Sequence, residues 1–285
     1  MVEFDFERQL RPPAAHRLFS ITDGDTPTIL QPVRMVSADT PEKSHYAGKP
    51  QVAQPKLDTC RQRLLDGVYP AIPDGMRKYL VDRLDADAAA RHIDAAEMAS
   101  AQFDLLLQQR LTKPDGSQRR VATIPTGEII DRYGRMLAYL APWFAGGRGD
   151  PLPPRDDPQR RTFNLEMVAG GWAASFVIYP SLPKNDDLNL LLDEARAAWK
   201  LRRGAWKKHG RKLLLGYEYR LAIKLGTEHP PAKAMADAFQ RVCVDLRTLK
   251  AVGLYGWWKV PPPERLWFWA TDADQATVDL GLAPA

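Results

Sequence analysis

Three short motifs carry the residue types in this chain that could do chemistry. Asp23-Gly24-Asp25-Thr26 comes first, the run from Arg34 to Asp39-Thr40-Pro41-Glu42 follows, and Asp131-Arg132-Tyr133-Gly134-Arg135 is third. Asp25 and Asp39 offer the oxygen ligands that Ca2+ or Mg2+ prefers. The Thr40 carbonyl can complete that set, because Pro41 holds the residue before it extended. Glu42 can accept a proton from a water beside the metal. Arg34 and Arg135 supply planar guanidinium forks that match the oxygens of a five-coordinate phosphorus. Together these are the parts of a metal-dependent phosphodiesterase.

Each fragment also has a plainer reading. Asp23-Gly24 suits a hairpin turn, and Asp39 suits a cap. Glu42 reads equally as an exposed loop glutamate, and Arg135 as a solvated turn residue. Arg34 sits in a strand otherwise built from Val and Met, where a charge is costly unless paired. A salt bridge to Asp39 would satisfy it as well as a phosphate would.

The elements that must position these residues follow from pattern. Residues 16–39 alternate as strand, turn, strand, turn, strand. Residues 43–92 predict an insertion with its own helices over Leu57–Leu65 and Met76–Leu84, broken by Pro70 and Pro73, and not a core element. Residues 94–111 carry an apolar helical face. Strands over Val121–Ile124 and Met136–Leu140 bracket the third motif, and 145–161 is a Gly-, Pro- and Arg-rich loop. Asn164–Gly170 predicts a short helix, Ala173–Tyr179 a strand, and Asp186–Trp206 a long helix. Beyond 207, Ala232–Val252 reads as a helix, and Trp257–Val260 and Leu266–Thr271 as strands.

The ordered motifs resemble the staphylococcal nuclease family, from about 16 to 206. The matching stretches are Asp23–Thr26, Arg34–Glu42, Glu97–Ala101, Asp131–Tyr139 and Asn164–Tyr179. The resemblance implies an α+β fold: a five-stranded OB-type β-barrel with packed helices. To this the chain would add the helical insertion at about 43–92 and a small C-terminal α/β accessory unit at 207–285. It implies an endonuclease acting on DNA and/or RNA and leaving 3′-phosphates. Asp25, Asp39 and the Thr40 carbonyl would hold Ca2+, Glu42 would be the general base, and Arg34 and Arg135 would stabilise the phosphorane. Arg132 and Tyr133 would lie near a terminal phosphate, and Tyr179 would line the nucleotide site.

This chain departs from the family in several places. The hairpin before Arg34 is short and carries Pro27 and Pro32, and Val177 stands where the family has a second tyrosine. The insertion begins beside Glu42, so it should lie near the site. Two alternatives from other classes remain. One is a catalytically silent nucleic-acid-binding OB module, and the other is an interaction scaffold working through the C-terminal unit.

Composition bounds these readings. The 285 residues are 45% hydrophobic and 26% charged, as in globular proteins. Cys60 and Cys243 lie far apart and form no CxxC pair, which argues against zinc and disulfide frameworks. The acidic N-terminus lacks the apolar core of a secretory signal, and no apolar run is long enough to span a membrane. A cytoplasmic protein is expected, and a nuclease there needs restraint by the insertion, the C-terminal unit or a regulatory partner. The net charge of +5 sits mostly in residues 207–285, with 12 Lys+Arg against 8 Asp+Glu. The segment Arg196–Lys212 holds eight Lys+Arg and no acid, interleaved with Trp199 and Trp206. That pattern suits a nucleic-acid backbone. Trp257, Trp258, Trp267 and Trp269 read as a base-stacking platform or as the core of a small unit.

Overall fold

The computed structural model describes residues 17–131, 133–143, 151 and 153–282. The chain opens with β1 (Arg17–Asp23) and β2 (Thr26–Leu30), a hairpin that forms its own two-stranded sheet. Next come β3 (Val33–Met35) and β4 (Ser37–Asp39), two halves of one bent strand. The bend is at Ser37, whose φ of +59° is left-handed. Three contacts hold it there. Val36 N–H donates to the Ala138 carbonyl at 3.2 Å, buried Asn164 donates to the Val36 carbonyl at 2.8 Å, and Ser37 Oγ bonds the Tyr139 hydroxyl at 2.6 Å. Surroundings that over-determine such a residue are what allow it to persist.

Helices α1 (Ser44–Ala47), α2 (Pro50–Leu65), α3 (Asp74–Val81) and α4 (Ala88–Leu111) follow. Helix α4 starts six residues before the expected 94, because Ala88-Ala89-Ala90 favours helix. Strands β5 (Val121–Ile130) and β6 (Met136–Pro142) precede α5 (Phe163–Ala169), β7 (Ala174–Ile178), α6 (Asn185–Leu201) and α7 (Ala205–His209). The rest comprises α8 (Gly216–Thr227), α9 (Pro231–Ala238), β8 (Arg241–Asp245), β9 (Lys250–Gly253), β10 (Arg265–Trp269) and α10 (Ala273–Asp279).

This is a mixed α+β fold, but the described strands do not close into a five-stranded barrel. They form sheets β1-β2, β3-β6-β5 and β4-β7-β10-β8-β9. The bend at Ser37 splits one strand between two sheets: β3 runs parallel to β6, and β4 antiparallel to β7. Strand β10 pairs parallel with β7, so the last part of the chain shares the sheet that holds Asp39.

That five-stranded sheet is covered on both faces, so its strands are buried nearly throughout and successive side chains enter opposite cores. Trp267, Cys243 and Phe176 join one core cluster with α2, α3 and α8, while Leu266, Phe268, Val244 and Val177 join another with α5 and α6. The reading of 43–92 as outside the core is corrected here. Leu57, Cys60, Leu64, Met76 and Leu80 are fully buried with Tyr219, Ala222 and Leu225 of α8. Helices α2 and α8 cross so closely that a Cβ at Gly226 would lie 1.9 Å from the Lys56 carbonyl oxygen.

The helix expected over Ala232–Val252 is instead α9 followed by the β8–β9 hairpin. Val242-Cys243-Val244 is a short apolar run packed on both faces, which periodicity cannot tell from helix. The strand expected at Trp257–Val260 is a 3-10 turn over Trp257–Lys259. Trp257 and Trp267 are buried core, not a stacking platform.

Candidate functional site

At the end of β4, Asp39 points under the N-terminal turn of α8. Its side chain is fully buried, and both oxygens are occupied. Oδ1 accepts from Arg34 at 2.9 Å and from Arg220 at 3.1 Å. Oδ2 accepts from Arg220 at 3.1 Å and from the backbone N–H of Tyr217 at 2.9 Å. Tyr217 is the second residue of α8, whose own N-cap, Leu215, has no side-chain oxygen to offer. Asp39 therefore supplies the cap from another strand, and its charge complements the positive helix end.

Gly216 makes this seating possible: a Cβ there would lie 2.5 Å from both Asp39 Oδ2 and the Thr40 carbonyl oxygen. Burial alone would raise the Asp39 carboxyl. Arg220 and Arg34 outweigh it and hold the carboxyl below the usual carboxylate range.

Glu42 bonds the same guanidinium, through Arg220 Nη1. Burial works against the Arg220 charge, but Asp39 and Glu42 together raise its pKa. The Glu42 backbone is fixed as well, because its N–H donates to His92 Nε2 at 2.8 Å. That bond makes Nε2 an acceptor, so Nδ1 carries the proton and donates to the Leu214 carbonyl at 3.0 Å. Burial pushes the His92 imidazole down to about 3, so it is neutral. Its ring stacks on Tyr219 of α8, with centroids 3.8 Å apart.

Arg34 is in β3, and Arg135 immediately precedes its parallel neighbour β6. Arg34 lies opposite Leu137 in the parallel β3–β6 pair. Arg135 lies in the turn just before β6 and pairs with Asp131, its Nη2 2.6 Å from Oδ2. Asp131 builds the turn that aims Arg135. Its Oδ1 accepts the N–H groups of Tyr133 at 2.9 Å and Arg135 at 3.0 Å, and its Oδ2 accepts Arg135 Nε at 2.8 Å. Tyr133 is 65% exposed, and the Arg135 guanidinium lies 5.2 Å from its ring. Arg132 lies outside the described residues. Tyr179 is half-buried just past β7, and its hydroxyl donates to Asp279 of α10.

The residues expected to hold Ca2+ do not fit a divalent ion in this arrangement. All the acceptor capacity of Asp39 is taken by Arg34, Arg220 and Tyr217 N–H. The Thr40 carbonyl oxygen lies so close to Gly216 that a Cβ there would come within 2.5 Å of it. Asp25 is exposed in the β1–β2 turn, where it accepts from Thr26 Oγ1 at 3.2 Å. No three His, Cys, Asp or Glu side chains converge to hold a metal among the described residues. A guanidinium stands where a cation was expected.

Sequence reasoning missed Arg220, Tyr217, Gly216 and His92. Arg220 lies in a stretch, 213–225, that also holds Glu218 and Lys224, so its charge has local partners in the sequence and does not stand out as that of Arg34 does. His92 borders the helix expected from 94, and it is fully buried.

Residues 91–208 match the family model described as Staphylococcal nuclease homologue. No curated protein matches the chain. The matched stretch runs from α4 into α7, less than half of the chain. It includes Asp131, Tyr133, Arg135 and Tyr179, and ends before Arg220. Asp25, Arg34, Asp39, Thr40 and Glu42 precede it. No described helix is long and apolar enough to cross a membrane.

Proposed function

With residues 91–208 as its staphylococcal-nuclease-like stretch, we propose that this chain binds DNA and/or RNA without cutting it, its acidic centre serving as a latch. The observation that carries this reading is Arg220, whose one guanidinium occupies both Asp39 and Glu42. A base held in an ion pair is poorly placed to take a proton from water, and a carboxylate with four hydrogen bonds has little left for a metal. The phosphate-facing groups are then Arg135, the exposed Tyr133 beside it, and the basic segment that ends the matched stretch.

An endonuclease is the second reading, favoured by Arg34 bound to Asp39 on the strand that runs beside β6, which Arg135 precedes. It would require Arg220 to leave both carboxylates.

Plasmid, single-stranded DNA and RNA run on gels with the protein in Ca2+, Mg2+ or EDTA separate the two. Retarded but intact nucleic acid in every lane is the expected result, with Glu42→Gln binding like the parent. Metal-dependent cleavage that Glu42→Gln and Arg135→Ala both abolish would replace this reading with the nuclease. Neither binding nor cleavage would overturn both.

A further inference from the structure

The end of α6 and the start of α7 form a basic corner that the acidic centre does not use. Between Glu194 and Glu218 the sequence contains no acid. The corner is rigid. Helix α6 stops at Arg202, in the left-handed region with φ +51°, and Gly204 follows with φ +55°. Gly204 packs backbone to backbone on the α5–β7 turn. A Cβ there would lie 2.4 Å from the Gly170 carbonyl oxygen, and one at Gly171 would lie 2.4 Å from the Arg203 carbonyl oxygen. Ala205 N–H seals the crossing with a 3.1 Å bond to the Gly171 carbonyl. Trp199 and Trp206 meet edge to face beneath it, centroids 5.2 Å apart, and Trp206 is buried.

Among the charges at this corner, Arg196 pairs with Asp193 and Glu264, and the Arg211 guanidinium lies over the Trp199 ring, 5.5 Å from its centroid. Arg203 pairs with Glu194, Lys208 and His209 with Asp94, and Lys212 with Asp85. Lys200, Arg202 and Lys207 are exposed, and no carboxylate lies within salt-bridge distance of them among the described residues. Cations left unneutralised on a fixed backbone concentrate positive potential at the surface. The tryptophans beneath pack against each other and the core, so the corner offers a polyanion charge more than apolar insertion.

We propose that Lys200, Arg202 and Lys207 form a phosphodiester-binding surface that tracks the backbone of a nucleic acid independently of base sequence. This rests on the nucleic-acid reading above, but it names a surface distinct from the Asp39 centre and the Arg135 turn.

The test is fluorescence anisotropy of a labelled 20-base-pair duplex titrated with full-length protein across a KCl series. The variant is Lys200→Gln/Arg202→Asn/Lys207→Gln, with Asn chosen because it tolerates positive φ. A control neutralises Arg61, Lys184 and Lys250, exposed cations elsewhere. Circular dichroism and thermal melting establish that both variants fold. Each phosphate contact contributes about 0.9 to the slope of log K against log salt, so the triple variant is expected to lose about 2.7 from it. Its affinity at low salt should fall more than tenfold, while the control stays within about twofold. A parent that binds DNA with a variant of unchanged slope would overturn this surface and leave the nucleic-acid reading standing. A parent that binds no nucleic acid would overturn both. Charge-dependent binding to anionic vesicles but not to DNA would assign the corner to a lipid surface instead.

Discussion

Replacing Arg220 with Ala tests whether the acidic centre is a latch. The centre holds two carboxylates, Asp39 and Glu42, and two guanidiniums, Arg34 and Arg220. Arg220→Ala leaves one uncompensated negative charge there, with the Asp39 side chain fully buried and that of Glu42 18% exposed. Breaking a buried ion pair by removing one partner costs about 3–5 kcal/mol. Arg34 and the Tyr217 N–H remain on Asp39, and the Arg220 side chain is 21% exposed. The lower end therefore applies, about 3 kcal/mol of unfolding free energy. Urea denaturation at pH 7.5 reads it. A double-mutant cycle of Arg220→Ala with Asp39→Ala should return a coupling of about 1.5–3 kcal/mol, within the range for directly bonded groups. Arg220→Lys should recover less than half, because one ammonium cannot bond Asp39 and Glu42 as the fork does. The Lys78–Asp82 pair, with side chains 78% and 56% exposed, supplies a surface control whose coupling should not exceed about 0.5 kcal/mol. An Arg220–Asp39 coupling no larger than that control would refute the latch.

Two further measurements bear on the same region. His92 is neutral in the fold with a pKa of about 3, against about 6.5 unfolded, so the unfolded chain binds the extra proton between these values. Stability should fall by about 1.4 kcal/mol per pH unit as pH drops from 6.5 toward 3, and His92→Gln should flatten that slope in denaturation curves taken from pH 7 to 4. The depressed Asp39 carboxyl adds its own loss only below about 3.8, so the two effects separate. Gly226→Ala would drive a Cβ into the Lys56 carbonyl and should cost about 3 kcal/mol by forcing α2 and α8 apart; a thermal midpoint unchanged within 2 °C would show that the crossing is looser than described.

What the sequence made legible was local. Asp23-Gly24 marks the hairpin turn, the short helix expected over Asn164–Gly170 is α5, and the apolar stripe of 94–111 lies within α4. Motif order pointed to the family whose model matches 91–208. What could not be read was which distant segment meets which. Arg34 was singled out because a charge in an apolar strand needs a partner, and Asp39 was among the partners considered. Arg220, on a helix with Glu218 and Lys224 close by, carries no such signal, and it lies 181 residues from Asp39, a separation nothing in its local pattern specifies. The C-terminal helix error has a similar origin. Met235 and Phe239 extend a helical stripe into Val242 and Leu246, and only pairing with β10 turns Arg241–Asp245 into a strand.

The position of α8 also bears on which reading of function holds. Lifting α8 away to free Asp39 would expose Tyr217, Tyr219, Leu221, Ile223 and Leu225, all now buried. At about 1.5–3 kcal/mol per large side chain, that motion costs roughly 10 kcal/mol, comparable to the whole stability of a domain. It would also pull Glu218 away from the buried Arg265, 3.2 Å distant. A hinged lid opens for far less. The centre therefore opens at lower cost by moving the Arg220 side chain within a fixed backbone. The binding reading needs no such rearrangement, because Arg135 and the basic corner at Arg202 are already at the surface. Arg220→Ala distinguishes the two. If it gains metal-dependent cleavage that Glu42→Gln removes, the latch conceals a working nuclease; if it loses stability and gains no cleavage, the carboxylates serve only to hold α8 in place.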